Sequence, residues 1–333
     1  MVRLFWQVLC AVSLLVAAAP MVMAPGYAAE AGGQVPLAAL EAKYQLPESR
    51  FVEFDGARVH YVEEGRLGAP VVLLLHGSYY SLREWGDWSR ELAQDFQVIR
   101  MDRTRFGLTR NFPDGEVSYP REVDLVEGFV RALGLESFSL AGASSGGIVA
   151  LLYADRHPDK VKRLLMFNFP LGHARIAGNP VLVKMSQENA TRGWQLPEFA
   201  EVQLRDGLVD HRLITPELVQ RVTDFGNRED PHENLRGSFA RGAALGEPER
   251  RAMLARLKMP VLVMWSAQNR TLPVADGEAA FAAIGAAEKR FTLVDGIGHA
   301  APIEGGAETA AAARTFFAGG WPEARLVVRS ETK

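Results

Sequence analysis

From Phe51 onward, short apolar stretches alternate with segments whose apolar residues recur at helical spacing. Residues 71–75, 97–102, 138–141, 162–168, 261–266 and 290–294 are predicted strands. Several are apolar at consecutive positions, the pattern of strands covered on both faces. Residues 51–54 and 57–63 predict a hairpin around Asp55-Gly56, a dipeptide suited to the positive φ values of a tight turn. Between the strands at 97–102 and 138–141, Val123, Val126, Val130 and Leu133 share one helical face. Gly134 then supplies the left-handed residue that closes such a helix. Strands alternating with helices build βαβ units, so the predicted class is α/β, a mostly parallel sheet flanked by helices.

The strand rhythm stops after Asn168 and resumes at Met259-Pro260. The intervening segment has helical stretches instead, including residues 217–225 introduced by Pro216. The expected organisation is a core in two pieces, 50–168 and 247–320, with an inserted helical cap, 169–246, over the carboxyl edge of the sheet.

The first residues follow a different pattern. Arg3 precedes an almost unbroken apolar run from Leu4 to Ala24, followed by a stretch rich in small residues that reaches Ala29-Glu30-Ala31. Residues 1–31 therefore predict a signal peptide or an N-terminal membrane anchor. Either one puts the folded part outside the cytoplasm: periplasmic, secreted, or attached to the membrane by this segment. The single cysteine, Cys10, lies inside the run, so neither a disulfide nor a thiolate-held metal is expected in the folded part. A net charge of -3 without a basic run offers nothing to neutralise phosphates, which excludes nucleic acid as a partner.

Three motifs carry chemistry. Gly142-Ala143-Ser144-Ser145-Gly146-Gly147 follows a strand and precedes a helical stretch, the context a G-x-S-x-G elbow requires. Small residues on both sides of Ser144 let the chain turn sharply, leaving Oγ exposed near the positive end of a helix dipole. His76-Gly77-Ser78 ends the apolar strand at 71–75, and the backbone N–H groups of Ser78 and Ser145 are candidate oxyanion donors. His76 itself is expected to be a hydrogen-bonding residue of the loop. Gly296-Ile297-Gly298-His299 follows the last predicted strand, where a histidine can reach Ser144 as general base. His157, His173 and His211 lack that placement.

In these blocks, and in VIRMDRTRFGLT and PVLVMWSAQNRTLP, the chain resembles the α/β-hydrolase superfamily, in its cap-containing, serine-nucleophile branch. The likeness runs from about residue 50 to 305. It implies a hydrolase of an ester, lactone or related carbonyl compound that works through an acyl-Ser144 intermediate. Residue 144 is a serine, which disfavours the aspartate-nucleophile epoxide hydrolases and haloalkane dehalogenases. The substrate is expected to be a small molecule, and no cofactor or metal is implied.

Two departures stand out. The family's acid after the seventh strand is replaced by Asn269, and its alternative location, at the end of the sixth, is Asn168. Asp276 and Asp295 are nearby but poorly placed. An amide at the acid position costs about 10⁴ in kcat in a serine protease triad. An Asn269 Oδ1 facing the histidine Nδ1–H would keep the correct tautomer and lose only the charge. The second departure is Asp102-Arg103-Thr104-Arg105, whose arginines are expected to be solvated loop charges or, less simply, contacts to an acidic substrate. Other readings stay open: the missing acid fits a degenerate hydrolase that binds a ligand or partner, and the retained serine also fits a cofactor-free perhydrolase or haloperoxidase and a carbon–carbon bond hydrolase. Tyr79, Tyr80, Phe169, Trp194, Phe199 and Phe225 are expected either to line an apolar pocket or to form the core of the cap.

Overall fold

A computed structural model describes residues 33–328 apart from 105, 117, 173–178 and 230–244. The leader reading on residues 1–31 lies outside the described residues. Among those described, no helix is long and apolar enough to cross a membrane.

Nine strands form one sheet in the order β1-β2-β4-β3-β5-β6-β7-β8-β9. The strands are β1 (Ser49–Phe54), β2 (Ala57–Gly65), β3 (Val71–Leu75), β4 (Gln97–Met101), β5 (Phe138–Ala143), β6 (Val161–Phe167), β7 (Val261–Ser266), β8 (Lys289–Asp295) and β9 (Arg325–Val327). β1 and β2 form the predicted hairpin, closing at Phe54 opposite Ala57. Asp55 and Gly56 both have positive φ, 48° and 78°. β2 runs antiparallel to β4, and from β4 through β9 every pairing is parallel. The α/β class is therefore as the sequence predicts, and the apolar runs do lie in doubly covered strands: β5 and β7 are buried at every position. The sequence pattern gave no sign of α1 (Leu37–Tyr44) or of β9, a three-residue edge strand.

The helices on the sheet are α2 (Gly86–Leu92), α3 (Tyr119–Ala132) and α4 (Ser145–Arg156). Ser118 caps α3 by accepting from Arg121 N, and Gly134 at φ 65° follows its end, as the periodicity requires. After β6 come α5 (Pro180–Arg192), α6 (Pro197–Gly207) and α7 (Pro216–Gly226), each with proline in its first turn. Then α8 (Glu247–Arg256), α9 (Val274–Ala283), α10 (Ala301–Glu304) and α11 (Gly306–Phe317) complete the α-helices among the described residues. The two faces of the sheet bury separate cores, one around Leu73, Phe129, Ile148 and Trp265, the other around Trp85, Trp88, Phe167 and Phe316. A smaller cluster joins α6 and α7 to Ala300, and so ties these helices to the loop that carries His299.

The antiparallel end of the sheet is pinned by a buried polar chain. His60 on β2 places Nδ1 2.6 Å from Asp102 Oδ2 and Nε2 2.6 Å from Ser49 Oγ. Asp102 also accepts from Leu82 N and Leu108 N. Burial pushes the Asp102 carboxyl up, but the charge and hydrogen bond of His60, with His76 and the Leu82 N–H, outweigh it and hold the group below its usual range.

Candidate active site

The carboxyl ends of β3, β4, β5, β6, β7 and β8 lie along one edge, and His76 to Ser78, Arg103, Ser144, Ser145, Asn168, Asn269 and His299 each stand shortly after one of them. That edge is where open α/β sheets bind ligands.

Ser144 occupies the turn between β5 and α4 with φ 50° and ψ −123°, a conformation costly for any residue with a Cβ. The glycines on either side are dictated by space. A Cβ on Gly142 would lie 2.3 Å from Gly146 O, and one on Gly146 would lie 2.3 Å from Leu75 O. The elbow thus packs backbone against backbone, and this close contact is what holds the strained serine outward. Ser144 N donates to Phe167 O at 2.8 Å, anchoring the turn to β6.

His299 Nε2 lies 2.9 Å from Ser144 Oγ. Its loop is fixed from three sides. Asn168, left-handed at φ 45°, donates from Nδ2 to His299 O at 3.0 Å and to Ser266 Oγ at 2.8 Å, while its Oδ1 accepts from Ser266 N. Glu304 Oε2 accepts from Gly298 N at 2.5 Å, and its Oε1 accepts from Val209 N and Asp210 N. Ala300 N donates to Gly207 O at the end of α6. Glu304 joins the histidine loop to the segment after α6 through three backbone donors, a role that nothing in the sequence pattern indicated.

The expected bond between Asn269 and His299 is not made. Asn269 Oδ1 instead accepts from Thr271 N at 3.1 Å and Leu272 N at 2.9 Å, closing its own turn. Asn269 Nδ2 and His299 Nδ1 are both buried without a hydrogen-bond partner among the described residues. Asp295 is engaged by Arg325. Desolvation therefore dominates at His299 and pushes its imidazole down to about 4; the one opposing influence is the Asp206 carboxylate on α6. The ring is neutral at pH 7, available as a base but a weak one.

On the other side of Ser144 lies the β3 loop. A Cβ at Gly77 would come within 3.3 Å of Ser144 Cβ, so glycine lets this loop approach the nucleophile. Ser78 and Ser145 meet through their hydroxyls at 2.8 Å. His76 is fully buried, accepts from Arg103 N at Nε2 (2.8 Å) and donates from Nδ1 to Gly77 O (2.7 Å), the structural role expected of it. Burial, then the neighbouring Arg103, pushes its pKa down to about 4. Glu84 Oε1 accepts from Gly77 N at 2.7 Å, and burial pushes this carboxyl up to about 8.

Arg103 corrects the sequence reading. It is neither a solvated charge nor open to substrate, being 4 % exposed and paired with the buried Glu122. Its Nη1 also donates to His76 O and to Ser145 Oγ at 3.0 Å. Arg105 lies outside the described residues, as does His173, while His157 faces Glu127 and His211 faces a backbone carbonyl. Phe169, Phe199 and Phe225 are buried as core, and Tyr79, Tyr80 and Trp194 are half-buried. A cavity beside Tyr79 and Tyr80 is lined also by Glu84, Arg221 and Phe225.

A strand–elbow–helix serine, a histidine after β8 within hydrogen-bond reach and a glycine loop beside them define the class as a hydrolase of α/β architecture. The chain belongs to the alpha/beta hydrolase fold family, whose model matches residues 70–306. It is 30% identical over 206 residues to 2-hydroxymuconate semialdehyde hydrolase of Pseudomonas sp. (strain CF600), covering 60% of this chain and 69% of that one. It is 31% identical over 182 residues to epoxide hydrolase 4 of Homo sapiens, covering 53% of this chain and 49% of that protein's length. The chain thus spans only about half of that relative. Among solved structures, a thermophilic esterase from Thermogutta terrifontis superposes with a TM-score of 0.66 at 22% identity, covering 80% of this chain and 97% of the other. At that identity the likeness is one of fold.

Proposed function

We propose that this protein is a serine-dependent hydrolase of an ester, lactone or related carbonyl compound, with Ser144 as nucleophile and His299 as general base. The observation that carries the proposal is the 2.9 Å contact between Ser144 Oγ and His299 Nε2 at a strained elbow. Ser144 Oγ adds to the carbonyl carbon as its proton passes to His299 Nε2. The oxygen, now negative, is held by the N–H groups of Ser78 and Ser145, the latter at the first turn of α4 where backbone donors have no helical partner. Collapse expels the alcohol, which takes the proton back from His299. Water then releases the acyl group by the same steps in reverse order.

This chemistry requires a tautomer with the proton on Nδ1, and no acceptor among the described residues holds it there. The proposed enzyme therefore works with base and oxyanion donors but without the anion that steadies an imidazolium, a loss worth about 10⁴ in kcat in a serine protease triad. The missing acid favours the second reading, a degenerate hydrolase that binds a ligand. An aryl phosphonate and a short-chain p-nitrophenyl ester separate the two. The hydrolase reading expects modification of the full chain at Ser144, ester turnover, and loss of both in Ser144→Ala. A chain that is neither labelled nor active would be the binding protein. The carbon–carbon hydrolase reading keeps the same serine and is favoured by the likeness to the Pseudomonas hydrolase. It would appear as turnover of 2-hydroxymuconate semialdehyde, which has no ester to cleave, in preference to the p-nitrophenyl ester.

We also propose that the chain is exported, on the strength of its apolar leader. Recovery of the protein from the periplasm or membrane fraction supports this, and recovery from the cytosol with Met1 intact overturns it.

A further inference from the structure

We propose that the Ser78 hydroxyl is a third donor to the substrate oxyanion, aimed by a one-way chain of hydrogen bonds that begins at Arg103. This rests on the serine-hydrolase reading. The direction of the chain follows from what each group is able to donate. A guanidinium has only donors, so in the 3.0 Å contact between Arg103 Nη1 and Ser145 Oγ the serine must accept. Among the described residues, the remaining polar contact of Ser145 Oγ is Ser78 Oγ at 2.8 Å, so the Ser145 proton points there. Ser78 Oγ is thereby occupied as an acceptor, and its own proton is directed away from Ser145. Ser78 is half-buried and follows Gly77, where an added Cβ would lie 3.3 Å from Ser144 Cβ, so it stands beside the elbow, and in the proposed chain its free proton is given to the carbonyl oxygen bound there.

The head of the chain is fixed. Arg103 is clamped by Glu122 and by the carbonyl of His76, and it has no room to swing to solvent. Each hydroxyl that accepts from a charged donor becomes a better donor itself, because hydrogen bonds in a chain polarise one another. The buried arginine thus acts on the oxyanion through two serines without touching substrate. Arg103 and the Ser145 hydroxyl act as positioning groups, while the Ser78 hydroxyl, like the Ser145 N–H, touches the reacting oxygen. A site that lacks the anion behind its histidine has an added cationic influence on the opposite side of the reacting carbon.

The test is a double-mutant cycle on the full chain with Ser78→Ala and Ser145→Ala, both of which leave the backbone N–H donors in place. Ser78→Ala is expected to lower kcat about tenfold with KM unchanged, less than the 10² to 10³ lost with a principal oxyanion donor. It should weaken an aryl trifluoromethyl ketone, whose hemiketal with Ser144 carries the oxyanion, by the same factor. Ser78→Thr, which retains the hydroxyl, should restore both. Ser145→Ala should cost less than Ser78→Ala, and the double variant should match Ser78→Ala alone. If Ser144 of the parent is labelled by phosphonate and Ser78→Ala keeps kcat and ketone affinity within twofold, the third donor is overturned and the hydrolase reading stands. If the two losses simply add, the serines act separately and the chain is overturned. A parent that phosphonate does not label at all overturns the hydrolase reading, and this inference with it.

Discussion

Among the described residues two serine–histidine pairs stand out, and the one with an acid is in the wrong place. At the antiparallel end of the sheet, Ser49, His60 and Asp102 are linked in the order nucleophile, base and acid by contacts of 2.6 Å and 2.6 Å. Asp102 is held ionised by two backbone N–H groups and by His60. Yet Ser49 is the first residue of an edge strand, outside the set of positive-φ residues, and its Oγ already accepts from Leu46 N at 2.8 Å. At the other site the acid is an amide turned to its own loop, but Ser144 sits on a strained elbow in the middle of the sheet, beside a helix N-terminus and a second loop of donors. The contrast separates two things that triad diagrams merge. An acid–base relay sets the protonation of a serine. Only a scaffold that exposes Oγ and supplies oxyanion donors makes the serine a catalyst, and those donors retain about 10³ to 10⁴ of rate over water when triad members are lost.

The sharpest way to break this contrast is to remove Ser144. Ser144→Ala is expected to abolish phosphonate labelling and lower ester turnover at least 10³-fold, in keeping with the loss of a nucleophile in such enzymes. Intact-mass analysis of the variant after prolonged exposure should show no adduct. An adduct mapped to Ser49 would mean that a relay without an elbow is enough, and the distinction drawn above would fall.

A smaller effect sharpens the comparison from the other side. Asn269→Asp supplies the acid that only the structural relay now possesses. The change is isosteric: one carboxylate oxygen keeps the Thr271 and Leu272 N–H groups, and the other replaces the unpartnered Nδ2. Turnover at pH 8 is expected to rise about a hundredfold, roughly 2.7 kcal/mol of barrier, because the oxygen favours the productive tautomer and stabilises the imidazolium. The sign of the pH effect is fixed as well. The base must be neutral, so activity falls as pH drops through the histidine pKa, which is about 4 in the parent. A nearby anion favours the charged imidazolium and raises that pKa towards or above the ordinary value of about 6.5. The acidic limb of kcat/KM should therefore move up by at least one pH unit in the variant. A limb that stays in place would show that Asn269 does not govern His299.

What the sequence disclosed of all this followed from how local each signal is. Strand positions, the hairpin at Asp55-Gly56 and the elbow glycines are written in contiguous residues, and each appears where predicted. The pairing of Ser144 with His299 was legible because both lie at strand ends, which the fold brings to one edge. Arg103 was not, since a loop arginine in a sequence gives no sign that Glu122, nineteen residues on, will pair with it beneath the oxyanion loop. Nor was Glu304, whose three acceptor contacts come from two loops that meet only after folding. The side-chain orientation of Asn269 was equally hidden, because a two-faced amide reports neither which atom its own turn will claim nor which is left over.

The smallest expected effect tests the structural half of the comparison directly. Ser49→Ala removes the acceptor of the Leu46 N–H and the hydrogen-bond partner of His60 Nε2 at the start of β1. Neither loss exposes a charge, since Asp102 keeps its bonds to His60 Nδ1, Leu82 and Leu108. The cost should then be that of a hydrogen bond with a buried partner left unsatisfied, about 1 to 3 kcal/mol, read as a lower urea midpoint with unchanged slope. Ester kcat should stay within twofold, because among the described residues His60 shares no hydrogen bond with the elbow. A loss of kcat out of proportion to the loss of stability would mean that the two serine–histidine pairs are coupled through Asp102. The polar chain at the sheet edge would then belong to the catalytic machinery and would not serve the framework alone.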